Sequence, residues 1–285
     1  MSKAYEVITD KILEMLDKGV VPWEKPWQGG GKPKSFSNKK AYRGINHFLL
    51  GAVASAEGYK SGYWITPKQA MKQGGNFAGQ KTTPVVFWKW LKVKDKDTQE
   101  EKQIPFLKYF RVFNIDQVEG VTAPEEENII EYEHTPIEEA EKVINLMPNK
   151  PEIKHAGGRA FYRPSDDSVT LPPLELFPKI EGYYSTAFHE LSHATGHDCR
   201  LGRHGKQQGV AAFGSHEYGK EELVAEMSSA YLCGHCRIEK GTIDNTASYI
   251  DSWRRAIKAD KKLVVNAAAQ AQKSADYILG VKWDK

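Results

Sequence analysis

The residues best suited to chemistry lie in one short run, His189-Glu190-Leu191-Ser192-His193. On a helix, residues four apart sit one above the other, so both imidazoles can reach a single ion. Glu190 stands beside them, where it can take a proton from a water polarised by that ion and pass it to a leaving group. The neighbours Tyr183, Tyr184, Ala187 and Phe188 are aromatic or small and apolar, which buries one face of the run. Two histidines and a glutamate buried without a partner would be costly. The expectation is therefore a divalent-metal centre of hydrolase type, with His189 and His193 as ligands and Glu190 as the catalytic base, rather than a surface helix with two histidines. A catalytic zinc takes three protein ligands and keeps one position open. Glu222 is the expected third ligand. Glu226 lies one helical turn on and shares its face, as the carboxylate that orients a ligating histidine. Glu221 is the alternative ligand, but it reads better as a solvated acid at a helix start. Two imidazoles and a carboxylate favour Zn2+, with Mn2+ as the other candidate.

Two further constellations carry less. Gly196 matches the extended pattern H-E-x-x-H-x-x-G-x-x-H, but its last place holds Cys199 and no Met-turn follows, so Cys199 ranks low as a ligand. His197 follows Gly196, which is expected to end the helix, and reads as a structural or capping residue. Cys233-Gly234-His235-Cys236 has the form of a redox pair, but that chemistry wants the motif at a helix N-terminus. Here it closes an apolar helix, and core cysteines are the better reading.

A different signal fills the N-terminal half. Between Lys25 and Lys94 there are thirteen basic residues and a single acid, Glu57. Such an excess repels itself, and a polyanionic partner explains it. The lysines are interleaved with tryptophan, tyrosine and phenylalanine, a composition suited to unpaired nucleic acid: charges follow the backbone and rings stack on bases. The rings that flank turns, Trp23, Trp27, Tyr42 and Trp64, are expected to be the exposed ones. With them as DNA contacts go Lys25, Lys39, Lys40, Arg43, Asn46, Lys68 and Lys89. The strand VVFWKWL alternates apolar residues onto both faces and is expected to be buried on both.

These residues need elements to hold them. Ile8, Ile12 and Met15 or Leu16 recur at helical spacing near the N-terminus, and Gly19 ends that helix. AYRGINHFLLGAVASA is a second helix, and Thr66-Pro67-Lys68-Gln69 is a helix start with a capping box. TPVVFWKWLKV and FLKYFRVFNI are strands joined by a polar stretch. Val118 to Thr135 turns acidic and is bracketed by Pro124 and Pro136, which suggests a linker. A helix from Thr135 to about Leu146, short strands near Ile153, Ala160–Tyr162 and Val169–Leu171, and helices near 182–195, 221–232, 247–260 and 263–279 complete the pattern. The expected domains are 1–120, a linker at 121–135, and 136–285. Three cysteines do not make a disulfide framework. No apolar run would span a membrane, and the N-terminus lacks the marks of a signal peptide, so a cytoplasmic protein with no membrane partner is expected.

The ordered segments VPWEKPW, AYRGINHFLL, WITPKQAMKQGG, TPVVFWK and VFNIDQ, with GGRAFYRPSDDSVTLPP, YYSTAFHELSHATGHDCRLGR, FGSHEYGKEELVAEMSSAYLC and ASYIDSW, carry a resemblance over nearly the whole length. The chain resembles the ArdC-type antirestriction proteins of plasmids and phages. The resemblance implies an α+β chain in which a mixed α/β domain that binds single-stranded DNA precedes a zincin-like metallopeptidase domain with an HExxH helix. It supports Glu222, gluzincin-like, and Glu226, since EELVAE lies in the matching block. It implies protection of incoming DNA from host restriction during conjugation or infection, with a host restriction-related protein as a further partner. Whether the centre cleaves a host protein or only holds the fold is left open by the resemblance. The CGHC tail and the loop HGKQQGVAAFGSHEY are particular to this chain.

Overall fold

The structure, a computed structural model, describes residues 2–24, 32–94, 101–124, 136–203, 216–238 and 247–281. Most of the acidic stretch, and Lys25, Trp27 and Thr135, fall outside them. The chain divides into two compact units. One comprises Met1–Val20 with Trp27–Glu126, and the other Val21–Pro26 with Glu127–Lys285.

In the first unit, α1 (Lys3–Asp17) buries Ile8, Ile12, Met15 and Leu16 on one face. Gly19, at φ +75°, turns the chain out of it, a conformation that suits a residue without Cβ. β1 (Lys34–Ser35) leads to α2 (Ile45–Glu57), then β2 (Tyr63–Ile65) and α3 (Pro67–Lys72). α3 begins with the expected capping box between Thr66 and Gln69 and with Pro67 at its first turn. β3 (Thr83–Lys94) and β4 (Glu101–Asn114) form a long antiparallel ribbon. The sheet order is β1-β2-β4-β3, which leaves β3 at the edge. Part of that edge is covered from α2. The Asn46 side chain donates to the Val86 carbonyl (2.7 Å) and accepts from the Val86 N–H (2.8 Å), standing in for a missing strand.

The second unit opens with α4 (Pro136–Leu146), followed by β5 (Glu152–His155), β6 (Phe161–Arg163) and β7 (Ser168–Leu171). These strands form a small sheet in the order β5-β7-β6. Among the described residues four helices follow: α5 (Ile180–Ala194), α6 (His216–Cys236), α7 (Ala247–Ala259) and α8 (Leu263–Ile278). On α6 the small residues Ala225, Ser228 and Ser229 are fully buried. Ser229 donates to the Ser185 carbonyl (2.9 Å), and Ser274 on α8 joins Thr195 and Ser228. Trp23, from the segment before β1, is fully buried in this unit, edge-on to Trp253 of α7 (5.3 Å). Among the described residues no helix is long and apolar enough to cross a membrane.

Candidate metal centre and nucleic-acid face

α5 is helical because Tyr184, Ala187, Phe188, Leu191 and Ala194 make one continuous apolar face, and all are buried. That face fixes the rotation of the helix and turns His189 and His193 toward α6. The two Nε2 atoms stand 3.1 Å apart. The Glu222 carboxylate reaches both, at 3.4 Å from His189 Nε2 and 3.5 Å from His193 Nε2. Donors bound to one tetrahedral ion at bond lengths of about 2.0–2.2 Å stand about 3.3 Å apart; the two nitrogens stand close to that spacing, and so does each of them from a Glu222 oxygen, Oε2 beside His189 and Oε1 beside His193.

Carboxylates also lie behind both rings. Glu226 Oε1 is 3.5 Å from His189 Nδ1, an ion-pair contact outside hydrogen-bonding geometry, so that buried nitrogen has no hydrogen-bond partner. Glu221 Oε1 is 3.5 Å from His193 Nδ1. Glu221 is therefore not the solvated helix-start acid that its position suggested. It is held by Arg203, whose Nη2 donates to Glu221 Oε1 (2.6 Å) and Nε to Oε2 (3.3 Å). Arg203 is in turn fixed by Thr195 Oγ1 (2.6 Å) and the Ser192 carbonyl (2.9 Å). Sequence reasoning missed Arg203 and the role of Glu221. Eighteen residues separate the two, so no helical spacing links them.

The electrostatics follow from crowding. If both Nδ1 atoms face carboxylates as N–H donors, the two Nε2 lone pairs face each other and need a cation between them. Without a metal that cation is a proton. Burial opposes charge on His193, yet Glu221 and Glu222 together raise it to about 10. Burial likewise opposes ionisation of Glu221 and Glu222, but the histidines, and Arg203 at Glu221, outweigh it. Glu221 falls to about 2 and Glu222 is lowered further. Glu190, also on α5, is buried beside this cluster. The donor set, with its excess of carboxylates around two imidazoles, fits a divalent ion.

The rings and charges expected to meet DNA divide differently. Trp23 and Trp64 are 0% and 1% exposed, and Tyr42 is buried with Leu50, Val85 and Val112. These three are core, not stacking platforms: Trp64 lies within β2 and packs in one cluster with Tyr42, and Trp23 packs on Trp253. Asn46 is also buried and committed to Val86. Lys39, Lys40, Arg43, Lys68 and Lys89 are exposed. Lys25 and Trp27 lie outside the described residues.

The exposed rings are on the strand expected to be buried. Phe87, Trp88 and Trp90 on β3 and Phe106 and Phe110 on β4 are 38–62% exposed. The register places Val85 opposite Phe110, Phe87 opposite Lys108, and Lys89 opposite Phe106. Residues directly opposite point to the same side of an antiparallel pair. Near its base this side is covered by α2, where Val85 and Val112 are buried. Further out the cover ends, and phenylalanine alternates with lysine on a ribbon face. Tyr42 props Phe87 from below (6.1 Å), and Phe87 meets Phe110 edge-on (5.6 Å). The other side carries Trp88, edge-on to Tyr5 of α1, and Trp90.

Comparison with known proteins gives a domain family for each part of the chain. Residues 2–113 match the model of the N-terminal domain of anti-restriction factor ArdC, and residues 138–270 match that of a zincin-like metallopeptidase. The chain is 36% identical to the antirestriction ArdC protein from plasmid R388 in its metal-free crystal structure, covering 96% of each chain at a TM-score of 0.75. Against the Mn(II)-bound crystal structure of that protein the identity is 34%, with 97% of each chain covered and a TM-score of 0.75. It is 34% identical to protein y4eC of Sinorhizobium fredii (strain NBRC 101917 / NGR234), over 96% of this chain and 91% of that one. It is 35% identical to a DNA primase TraC of Escherichia coli over 96% of this chain, but spans only 20% of that protein's length. A match along the full length of a solved ArdC fold, with both domain models in order, shows that the chain belongs to the ArdC antirestriction family: an ArdC N-terminal domain followed by a zincin-like metallopeptidase domain.

Proposed function

We propose that this protein binds single-stranded DNA through its N-terminal unit and carries a metal-dependent peptidase centre in its C-terminal unit, protecting incoming DNA from restriction in the host cytoplasm. The observation that carries the catalytic part is the convergence of His189, His193 and Glu222 at 3.1–3.5 Å. These three would hold Zn2+, or Mn2+ as in the crystallised ArdC protein of R388. When bound, the ion supplies a Lewis acid that polarises water and a substrate carbonyl. Glu190 takes the proton of the attacking water as oxygen bonds to the carbonyl carbon. It delivers that proton to the amine nitrogen as the C–N bond breaks. Glu221 orients the His193 imidazole and is held in place by Arg203, while the Glu226 carboxylate stands behind the His189 ring, where it can accept from Nδ1 once the ring turns to a metal.

The DNA part rests on the Phe87, Lys89, Phe106, Lys108 and Phe110 face. Rings stack on unpaired bases without regard to sequence, and lysines follow the phosphates. Two measurements test the reading. Affinity for unpaired DNA should exceed that for duplex and fall with salt; equal affinities or a flat salt series would end the single-strand part. Glu190→Ala should keep the metal and abolish protection against restriction. Protection that survives with metal retained would make the centre structural, a reading the 8% exposure of both His189 and Glu190 also accommodates.

A further inference from the structure

We propose a second, peripheral metal site for a soft divalent cation such as Zn2+, formed by Cys199, His197 and Asp167. Each residue offers one donor atom, and the three donors lie within 4.8 Å of one another. His197 Nδ1 is 3.1 Å from Cys199 Sγ. A sulfur and a nitrogen held by one tetrahedral zinc stand about 3.5 Å apart, so the pair needs to open by only a few tenths of an ångström. The Cys199 backbone N–H also points at His197 Nδ1 (3.3 Å). That nitrogen therefore accepts, which puts the ring proton on Nε2, and a cation would take over the lone pair that the amide now uses.

The third donor is committed but not exhausted. Asp167 accepts from Tyr162 at Oδ1 (2.8 Å), from Arg200 Nη1 at Oδ2 (3.1 Å), and from Arg200 Nη2 at Oδ1. An ionised carboxylate has about four acceptor positions, which leaves one for a cation. Arg200 also makes the site rigid. Its side chain is 1% exposed and donates through Nε to the Ala194 carbonyl (2.6 Å) and through Nη1 to the Asn149 carbonyl (2.8 Å). Its own N–H and that of Gly202 bond the His197 carbonyl, both at 3.0 Å. The loop after α5 is therefore pinned to the β6–β7 turn before any metal arrives. Cys199 is exposed, so the cation enters from solvent, and the thiol proton leaves as the sulfur–metal bond forms. This pocket is separate from the Glu222 centre, whose donors include no sulfur.

That difference makes the site measurable independently of activity. The probe is Co2+, which gives a near-ultraviolet charge-transfer band only when bound by thiolate. Titration of the full chain should produce such a band, rising to the intensity of one thiolate-bound Co2+ per chain once both centres are filled, and bleached by Zn2+. Cys199→Ser should remove the band while leaving Co2+ binding at the sulfur-free centre. His197→Ala, which keeps the thiol, should weaken the band-forming site at least tenfold. Circular dichroism of both variants checks that the fold is intact. A native chain that binds Co2+ without the band, or a band undiminished in Cys199→Ser and so owed to Cys233 or Cys236, would overturn the proposal.

Discussion

Around His189 and His193 a proton and a divalent ion compete for the same lone pairs. In the metal-free protein His193 keeps its proton to about pH 10, because Glu221 and Glu222 outweigh the burial that opposes its charge. A metal must displace that proton, so affinity should rise with pH by about tenfold per unit across the neutral range. The sign is set by the ligand form: only neutral imidazole coordinates, and lowering the pH restores the competitor. Calorimetry in buffers of different ionisation enthalpy reads the released proton directly, and an affinity that does not change with pH would remove the competition argument. Glu221→Gln keeps the size of the side chain while discarding the charge behind His193. It should lower metal affinity by about 10–100-fold in a chelator competition. A loss no greater than the scatter would make Glu221 only a tether for Arg203. The donors in this cluster differ in how far local sequence reveals them. His189, His193, Glu222 and Glu226 stand four apart within single helices, and helical spacing alone puts each pair on one face. Glu221 is legible only once the chain has folded Arg203 back onto it.

At the scale of elements, the ribbon of β3 and β4 decides where DNA can be met. The alternation in VVFWKWL is visible in sequence, but whether a face is covered depends on how far α1 and α2 extend along it. α2 covers Val85 and stops short of Phe87. Trp64 and Trp23, expected to be exposed, are instead fully enclosed. Ring burial is thus a tertiary outcome that composition cannot assign, while the basic excess of the same segment is independent of how it folds. Phe87→Ala and Phe106→Ala should each weaken binding of an unpaired oligonucleotide by about 1–3 kcal/mol, read by fluorescence anisotropy. Lys89→Ala and Lys108→Ala should each flatten the salt dependence by about 0.7 in log–log slope. Trp64→Ala should cost about 3–5 kcal/mol of stability, with any loss of binding following unfolding rather than preceding it. If Trp64→Ala folds normally and fails to bind while the phenylalanine variants bind as before, the ribbon face is not the DNA surface.

Across the whole molecule, the division into units does not follow the order of the chain. The basic N-terminal segment contributes Val21–Pro26 to the second unit, where Trp23 packs on Trp253. A boundary drawn at the acidic stretch near residue 121, which charge and proline placement favour, therefore omits part of the second core. A fragment comprising residues 121–285 would leave Trp253 without its neighbour. Removing a buried tryptophan costs about 3–5 kcal/mol, which for a unit of this size lowers Tm on the order of 10 °C. Trp23→Ala in the full chain should produce a similar fall in the transition that a bound metal raises, since a ligand of the native state stabilises the unit that holds it. It should leave affinity for single-stranded DNA unchanged, because Trp23 belongs to the other unit. Differential scanning calorimetry with and without Zn2+, paired with anisotropy on the same variant, reads both outcomes. A metal-sensitive transition that stays where it was in Trp23→Ala would mean that the segment at 21–24 adds nothing to the second core, and that the cut at the acidic stretch separates complete units after all.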